Sequence, residues 1–324
     1  MGWFRHLLIG VVVGAALVSP ATASSDYPNR PLTLILPFAP GGASDATMRV
    51  FTRVLSQNLG QPVIIDNKPG AGGMIGMEAG AAAKPDGYTL LFASTGPLAI
   101  FSSLYKKLSY DPVKSFTGVR FGAENPYILV LNPNKPFKSV AELIDYAKKN
   151  PGKLNYGSVG NGGTGHLATE LFQSVTGTKM THVPYKLSTA LHTDLMSGVI
   201  DFAFELPNAV RPHVESGKMI AVAVANNARM KNFPNVQTFA ELGYPAIKIG
   251  AWSSFLVPAG TPEPIVAKLD EAIAKVLKDP AMVDIYSFGD SLVLDVDRKK
   301  FPAFLASETA RFKTLVKNAG VSLD

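Results

Sequence analysis

Apolar and polar positions along this chain follow two rhythms that alternate from one end to the other. Residues 31–38 (PLTLILPF) are a run of aliphatic and β-branched side chains, which predicts a strand buried on both faces. Residues 45–60 then place Val50, Phe51, Val54, Leu55 and Leu59 at helical spacing, with Gly60 as the stop. The cycle repeats. Strands are predicted over 62–66, 88–94, 127–132, 153–159, 180–185, 201–206, 219–226 and 252–258, and helices over 166–176 and 189–197. Ser139 and Glu142 form a capping box for a helix that ends near Asn150-Pro151-Gly152. Thr261-Pro262-Glu263 reads as N-cap, first-position proline and first-turn acid. The helix they start shows an apolar face of Ile265, Val266, Leu269, Ile273 and Val276. A strand over 291–295 and a helix from about 298 to 319, stopped by Gly320, complete the pattern.

This alternation predicts an α/β fold with parallel sheets covered by helices. Each half of the chain contains one passage of strand, glycine loop and helix. The repetition predicts two doubly wound lobes with a cleft between them.

The first residues follow neither rhythm. Arg5 and His6 precede an apolar run from Leu7 to Val18, broken by Ser19-Pro20 and followed by Ala21-Thr22-Ala23. The run suits a signal peptide cleaved after Ala23, and it is short for an uncleaved anchor. Export to the periplasm is the expectation. About 300 residues then remain, enough for two ordinary domains.

Composition narrows the chemistry. A chain that is 47% apolar and 17% charged is a folded, well-buried protein. It has no cysteine, which excludes disulfides, thiolate metal sites and cysteine nucleophiles. The net charge of +6 becomes +5 without Arg5, and Lys and Arg are scattered, so no nucleic-acid footprint is expected. The five histidines lack metal-ligand spacing, so neither metal nor cofactor is expected.

Two glycine loops carry the candidate site, PFAPGGASDATMR (37–49) and YGSVGNGGTGHLATELF (156–172). Each runs from a predicted strand into a predicted helix. Open α/β sheets bind ligands at that edge. Helix N-termini there present unpaired N–H groups and a positive partial charge, and glycine lets a ligand approach them. The chemistry favoured is capture of a carboxylate or phosphate oxygen. Gly160, Gly162 and Gly165 also match G-x-G-x-x-G. The dinucleotide reading lacks the acid expected about 20 residues later, since MTHVPYKLST contains none. Neither loop ends in the Lys-Ser/Thr of a P-loop. Ser158 and His166 raise a serine-hydrolase reading, but there is no G-x-S-x-G and no acid placed to orient the histidine.

Several stretches together resemble the Bug/TctC family, the extracytoplasmic solute-binding receptors of tripartite tricarboxylate transporters. They are LILPFAPGGASDATMRVF, IIDNKPGAGGMIGMEAGAAAKPDGYTLLFAS, LNYGSVGNGGTGHLATELF, THVPYK, AWSSFLVPAGTPEPIVAKLDEAI and NAGV, in order over essentially the whole mature chain. The resemblance implies a type II periplasmic-binding-protein fold, two α/β lobes joined by two crossing strands. Lobe I would comprise residues 24–125 and 250–324, and lobe II residues 126–249. It implies a small organic carboxylate held between the lobes by loop amides, small hydroxyls and water, and delivery to transporter membrane subunits by a monomeric, non-enzymatic receptor. Matched motif by motif, lobe I would offer Phe38, Pro40, Gly41, Gly42, Ala43, Asp45, Ser94 and Thr95. Lobe II would offer Ser158, Asn161, Gly163, Thr164, Gly165 and His166, with Tyr185 as a cleft wall. Leu187 stands where the family has glycine, and Glu205 where it has Asp or Asn, so the distal end of the site is expected to differ.

Single residues carry competing expectations. Asp45 either caps the helix beginning there or contacts the site. His166, in a first helical turn, donates to the solute or to a loop carbonyl. His182 is expected as a packed core histidine. Lys186 and Arg211 are expected to be solvated, or to pair with a second carboxylate. Small and apolar residues in the cleft would suit an aromatic or aliphatic acid. The same features also suit a receptor that serves a sensor in place of a transporter.

Overall fold

The computed structural model describes residues 26–294 and 296–323. The expected signal peptide and its cleavage site lie outside them.

The first half opens with β1 (Leu32–Leu36), α1 (Ala43–Leu59), β2 (Val63–Asn67), α2 (Met74–Ala81), β3 (Thr89–Ser94), a helical turn over Gly96–Ile100 and α3 (Phe101–Leu104). The long β4 (Phe116–Pro126) follows and leads through Tyr127 into β5 (Ile128–Leu131). The second unit continues with α4 (Val140–Lys149), β6 (Asn155–Val159), α5 (Thr164–Thr176), β7 (Thr181–Tyr185), α6 (Ser188–Ser197), β8 (Phe202–Glu205), α7 (Pro207–Glu215) and β9 (Ile220–Val224). The chain returns through β10 (Gly250–Pro258), α8 (Glu263–Leu277), α9 (Pro280–Phe288), β11 (Leu292–Val293) and α10 (Phe301–Ala319).

These strands form two sheets, β11-β4-β10-β3-β1-β2 and β7-β6-β8-β5-β9. The expected parallel pairing holds for β2-β1-β3 and for β7-β6-β8. The remaining pairs are antiparallel, a correction that follows from connectivity: β4, β5 and β10 carry the chain between the sheets instead of returning over a helix. The crossing is double. Gly250 pairs with Pro126, and Tyr127 N–H donates to the Ile249 carbonyl at 3.2 Å.

Each half owes its packing to predicted faces. On α1, Phe51 and Leu55 are fully buried, and Phe51 stacks on Phe255 of β10 with centroids 4.3 Å apart. Val266, Leu269, Ile273 and Val276 of α8 are buried in the same cluster. Ser139 caps α4, its Oγ accepting the Glu142 N–H at 3.2 Å, and Glu142 Oε2 accepts the Lys138 N–H at 2.6 Å. Thr261 does not cap α8. Its hydroxyl donates to the Pro258 carbonyl at 2.8 Å, and the helix begins at Glu263 after Pro262. The strand expected at 291–295 shrinks to two exposed residues on the sheet edge, Leu292 and Val293, with Asp295 outside the described residues.

Candidate functional site

The carboxyl ends of β1, β2 and β3 share one edge of the first sheet, and those of β6, β7 and β8 share one edge of the second. The loops from these edges determine the site. In the first, the chain leaves β1 through exposed Pro40, Gly41 and Gly42, with Phe38 half-buried. Gly41 takes a left-handed φ of 82°, and its amide turns inward to Oδ2 of Asp45 at 3.0 Å. Helix α1 starts at Ala43, two residues before the expected position, so Asp45 lies in the first turn and is not the cap. Its buried carboxylate also accepts from Arg49 Nε at 2.8 Å and from Asn67 Nδ2 at 3.0 Å, and Asn67 Nδ2 holds the Phe38 carbonyl at 3.0 Å. These donors, the Gly41 amide first and then Arg49 and Asn67, hold the Asp45 carboxyl down at about 2. Asp45 thus ties the glycine loop to β2. No side chain caps α1, whose first intrahelical bond runs from Ala46 to Gly42. Among the described residues the amides of 43–45 are therefore open donors.

The second loop is built alike. Gly160 (φ 80°) and Gly162 (φ 70°) turn the chain out of β6, and the Gly160 amide is held by the Tyr185 carbonyl at 2.9 Å. Helix α5 has Gly163 at its N-cap and no side-chain cap. The Gly162 amide donates to Nδ1 of His166 at 3.0 Å. His166 is therefore an acceptor here, where sequence reasoning expected a donor, because the left-handed turn at Gly162 points that amide back at the helix. The His166 ring stacks on His182 at 3.8 Å and His182 on Tyr156 at 4.9 Å. His182 is half-buried and not packed in the core as expected, and its Nε2 lies 2.7 Å from Ser158 Oγ. Burial, with His182 as a further cause at His166, pushes both imidazoles down to about 4. Both rings are neutral at physiological pH.

Between the second loop and the first lobe lies a cavity of about 310 Å³. From the first lobe it is lined by Gly72, Ser94, Gly96, Pro97, Ile100, Phe101, Tyr105 and Leu323, and from the second by residues 159–164. The structure therefore brings Ser94 together with Asn161, Gly163 and Thr164. Ser158, Gly165 and His166 are buried behind the second loop. Thr95 is buried too, and its hydroxyl is engaged in both directions by Trp252, donating to O at 3.0 Å and accepting from N at 2.7 Å. The 38–45 loop does not line this cavity. It is joined to it through α2 and the turn before it, where Gly73 and Gly76 lie close against Pro37. Tyr185 does not line this cavity, and its hydroxyl donates to Asp194 at 2.7 Å. Glu205 is buried at the end of β8, with Oε2 3.2 Å from His192 Nε2. Lys186 is exposed.

Sequence reasoning missed Gly72, Phe101 and Tyr105. The signal was PGAGG after β2, a third glycine loop on the same sheet edge. Gly72 needs both its φ of 65° and its missing side chain, since a Cβ would lie 2.8 Å from Phe101 Cζ. A larger hollow of about 620 Å³ is lined by residues 108–113 with Ser102, Ser115 and Thr309, all from the first lobe's side of the chain.

Two α/β lobes linked by paired crossing strands, with the 159–164 loop facing Gly72 and Gly96 across a cavity, define a two-lobe binding protein of type II fold. The chain belongs to the tripartite tricarboxylate transporter receptor family, whose model, described as "Tripartite tricarboxylate transporter family receptor", matches residues 47–321. It is 35% identical to "Protein BugT" of Bordetella pertussis (strain Tohama I) over 98% of this chain and 97% of that protein. Among solved structures it is similar to R. palustris Rpa4515 with adipate, at 34% identity and TM-score 0.79, covering 92% of this chain and 99% of that one. It is also similar to MatC from Rhodopseudomonas palustris with bound malate, at 30% identity and TM-score 0.75, covering 90% and 100%.

Proposed function

We propose that this protein is a periplasmic receptor that captures a small organic carboxylate between its lobes and delivers it to the membrane subunits of a tripartite transporter. One observation carries the reading: the glycine-flanked N-termini of α1 and α5 are both free of side-chain caps, so their first amides remain open to an anionic oxygen. The similar structures with adipate and malate support the carboxylate class. Phe101 and Tyr105 add apolar walls beside Ser94 and Thr164, which suits an aliphatic or aromatic acid better than a sugar.

In this reading the candidate contacts remain those carried by the motifs in both loops, with Glu205 and Tyr185 shaping the distal end. Asp45, Thr95 and His166 act from behind the surface, holding loops or strands in place. Lobe I would span 24–125 and 250–324 and lobe II 126–249, a division that the two separate sheets support. The receptor works as a monomer and catalyses nothing. Ser158 pairs with His182, but it is fully buried and its Oγ also donates to the Gly160 carbonyl at 3.2 Å, which leaves a substrate no approach.

A thermal-shift screen of the mature protein against mono- and dicarboxylates, with sugars and amines as controls, tests this. Acids alone should raise the melting temperature, because a compound that binds only the native state stabilises it. A shift produced only by uncharged compounds refutes the reading.

A further inference from the structure

Beside the strands that cross between the lobes, the corner after α9 reaches from one lobe to the other. Asn232, in the segment after β9, donates its backbone N–H to Asp290 Oδ1 at 3.0 Å. Its Nδ2 donates to the carbonyl oxygens of Ser287 at 2.9 Å and Phe288 at 3.3 Å. Arg211 of α7 lies over the Phe288 ring, 4.2 Å from its centroid, and its Nη1 donates to the Phe288 carbonyl at 3.4 Å. Met230 and Phe233 on either side of Asn232, and Val210 next to Arg211, belong to the core of the second lobe. Met282, Ile285 and Tyr286 of α9 pack in the core of the first. The corner is also anchored to a crossing strand: Ser291 Oγ donates to Asn125 of β4, and Leu292 pairs with Glu124.

Asp290 bears the cost of this contact. It takes a left-handed φ of 52°, uncommon for a residue other than glycine. It is 8% exposed, and among the described residues its Oδ2 is buried with no hydrogen-bond partner. A carboxylate oxygen in that state has lost its water and gained nothing in return. Among the described residues nothing within the first lobe uses this strained, desolvated carboxylate; the hydrogen bond it makes there crosses to Asn232.

We propose that the Ser287–Asp290 corner is a clasp that holds the two lobes in the arrangement seen here, and that Asp290 makes it reversible. The hydrogen bonds to Asn232 and the Arg211–Phe288 contact favour the clasped state. The backbone strain and the unsolvated Oδ2 oppose it, and both are relieved when the lobes separate and water reaches the carboxylate. Opposing contributions of similar size leave two arrangements close in free energy, which is what hinge motion about a cleft requires.

The chain has no native cysteine, so Lys107→Cys in the first lobe and Thr189→Cys in the second, both at exposed positions, accept spin labels without background. Distances are measured by double electron–electron resonance on the solute-free protein, with and without a clasp substitution. Asn232→Ala deletes the two side-chain hydrogen bonds to Ser287 and Phe288 and leaves the strained Asp290 as it is. Loss of those bonds is expected to raise the population of a second interlobe distance about tenfold. Arg211→Ala should shift it in the same direction, and it decides the matter if Asn232→Ala loses its native circular dichroism. Unchanged distances in a natively folded Asn232→Ala protein overturn the clasp. Because no carboxylate is present, this outcome is independent of the thermal-shift screen.

Discussion

The amide of Gly162 donates to Nδ1 of His166 across 3.0 Å, so the second glycine loop is fastened to the helix it precedes by an imidazole that must be neutral to accept. That ring stacks on His182, which reaches Ser158 with its Nε2. The loop's shape therefore rests on two histidines that stay uncharged, His166 buried and His182 half-buried.

Acid should undo this support. Both imidazoles are pushed down to about 4 by burial, below their ordinary value of 6.5. The folded state thus binds fewer protons than the unfolded state, and the stability this contributes is full above pH 6.5 and lost as pH falls toward 4. Calorimetric melting of the mature protein should show the melting temperature dropping across that window. His182→Gln should flatten the drop. An identical pH slope in wild type and variant would show that these rings are not the cause.

Gly163→Val tests the loop directly. Gly163 has ordinary φ and ψ for an extended N-cap, yet a Cβ there would lie 2.6 Å from the Val159 carbonyl oxygen. Main chain cannot move aside cheaply, so the loop must shift and the α5 amides must lose their aim. Binding of the carboxylate that gives the largest thermal shift is expected to weaken at least about a hundredfold with the far-UV spectrum unchanged. Calorimetric titration giving wild-type affinity would remove this loop from the site.

Thr95→Val tests the join between the end of β3 and β10. The Thr95 hydroxyl bridges the Trp252 amide and carbonyl across β3 and β10, fully buried. Valine keeps the shape and leaves both backbone groups without that partner, a loss of about 1–3 kcal/mol. Urea unfolding should register it as a lower midpoint at unchanged slope. A midpoint within error of wild type would mean that water replaces the hydroxyl.

Local pattern made most elements legible. Phe51, Val54 and Leu55 face inward on α1 because helical spacing alone puts them on one side. Gly60, Gly177, Gly198 and Gly320 end helices in the left-handed conformation that glycine adopts readily. The misses have two causes. Strand β4 is interrupted in sequence by Gly118 and Gly122, which look like breakers, but each is small because a neighbour, Phe301 or Ser253, lies against it. Helix α2 carries Gly76 and Gly80 for the same reason, against Pro37 and Leu91. In α9 the Asp279-Pro280 start was present, and Asp279 Oδ1 caps it from Ala281 at 2.9 Å, but no long apolar face follows.

The amino-acid sequence by itself determined the α/β alternation, the two glycine loops at strand ends and the anion chemistry those loops favour, because each depends on residues close together in the chain. Only the tertiary structure decided what the polar side chains around them do. Asp45 turns to Gly41, Thr95 to Trp252, His166 to Gly162 and Asp290 to Asn232. A side chain that can hydrogen-bond has many partners open to it in an extended chain. Which one it takes depends on the distances that packing leaves, and those exist only once the two sheets and their crossing strands are in place.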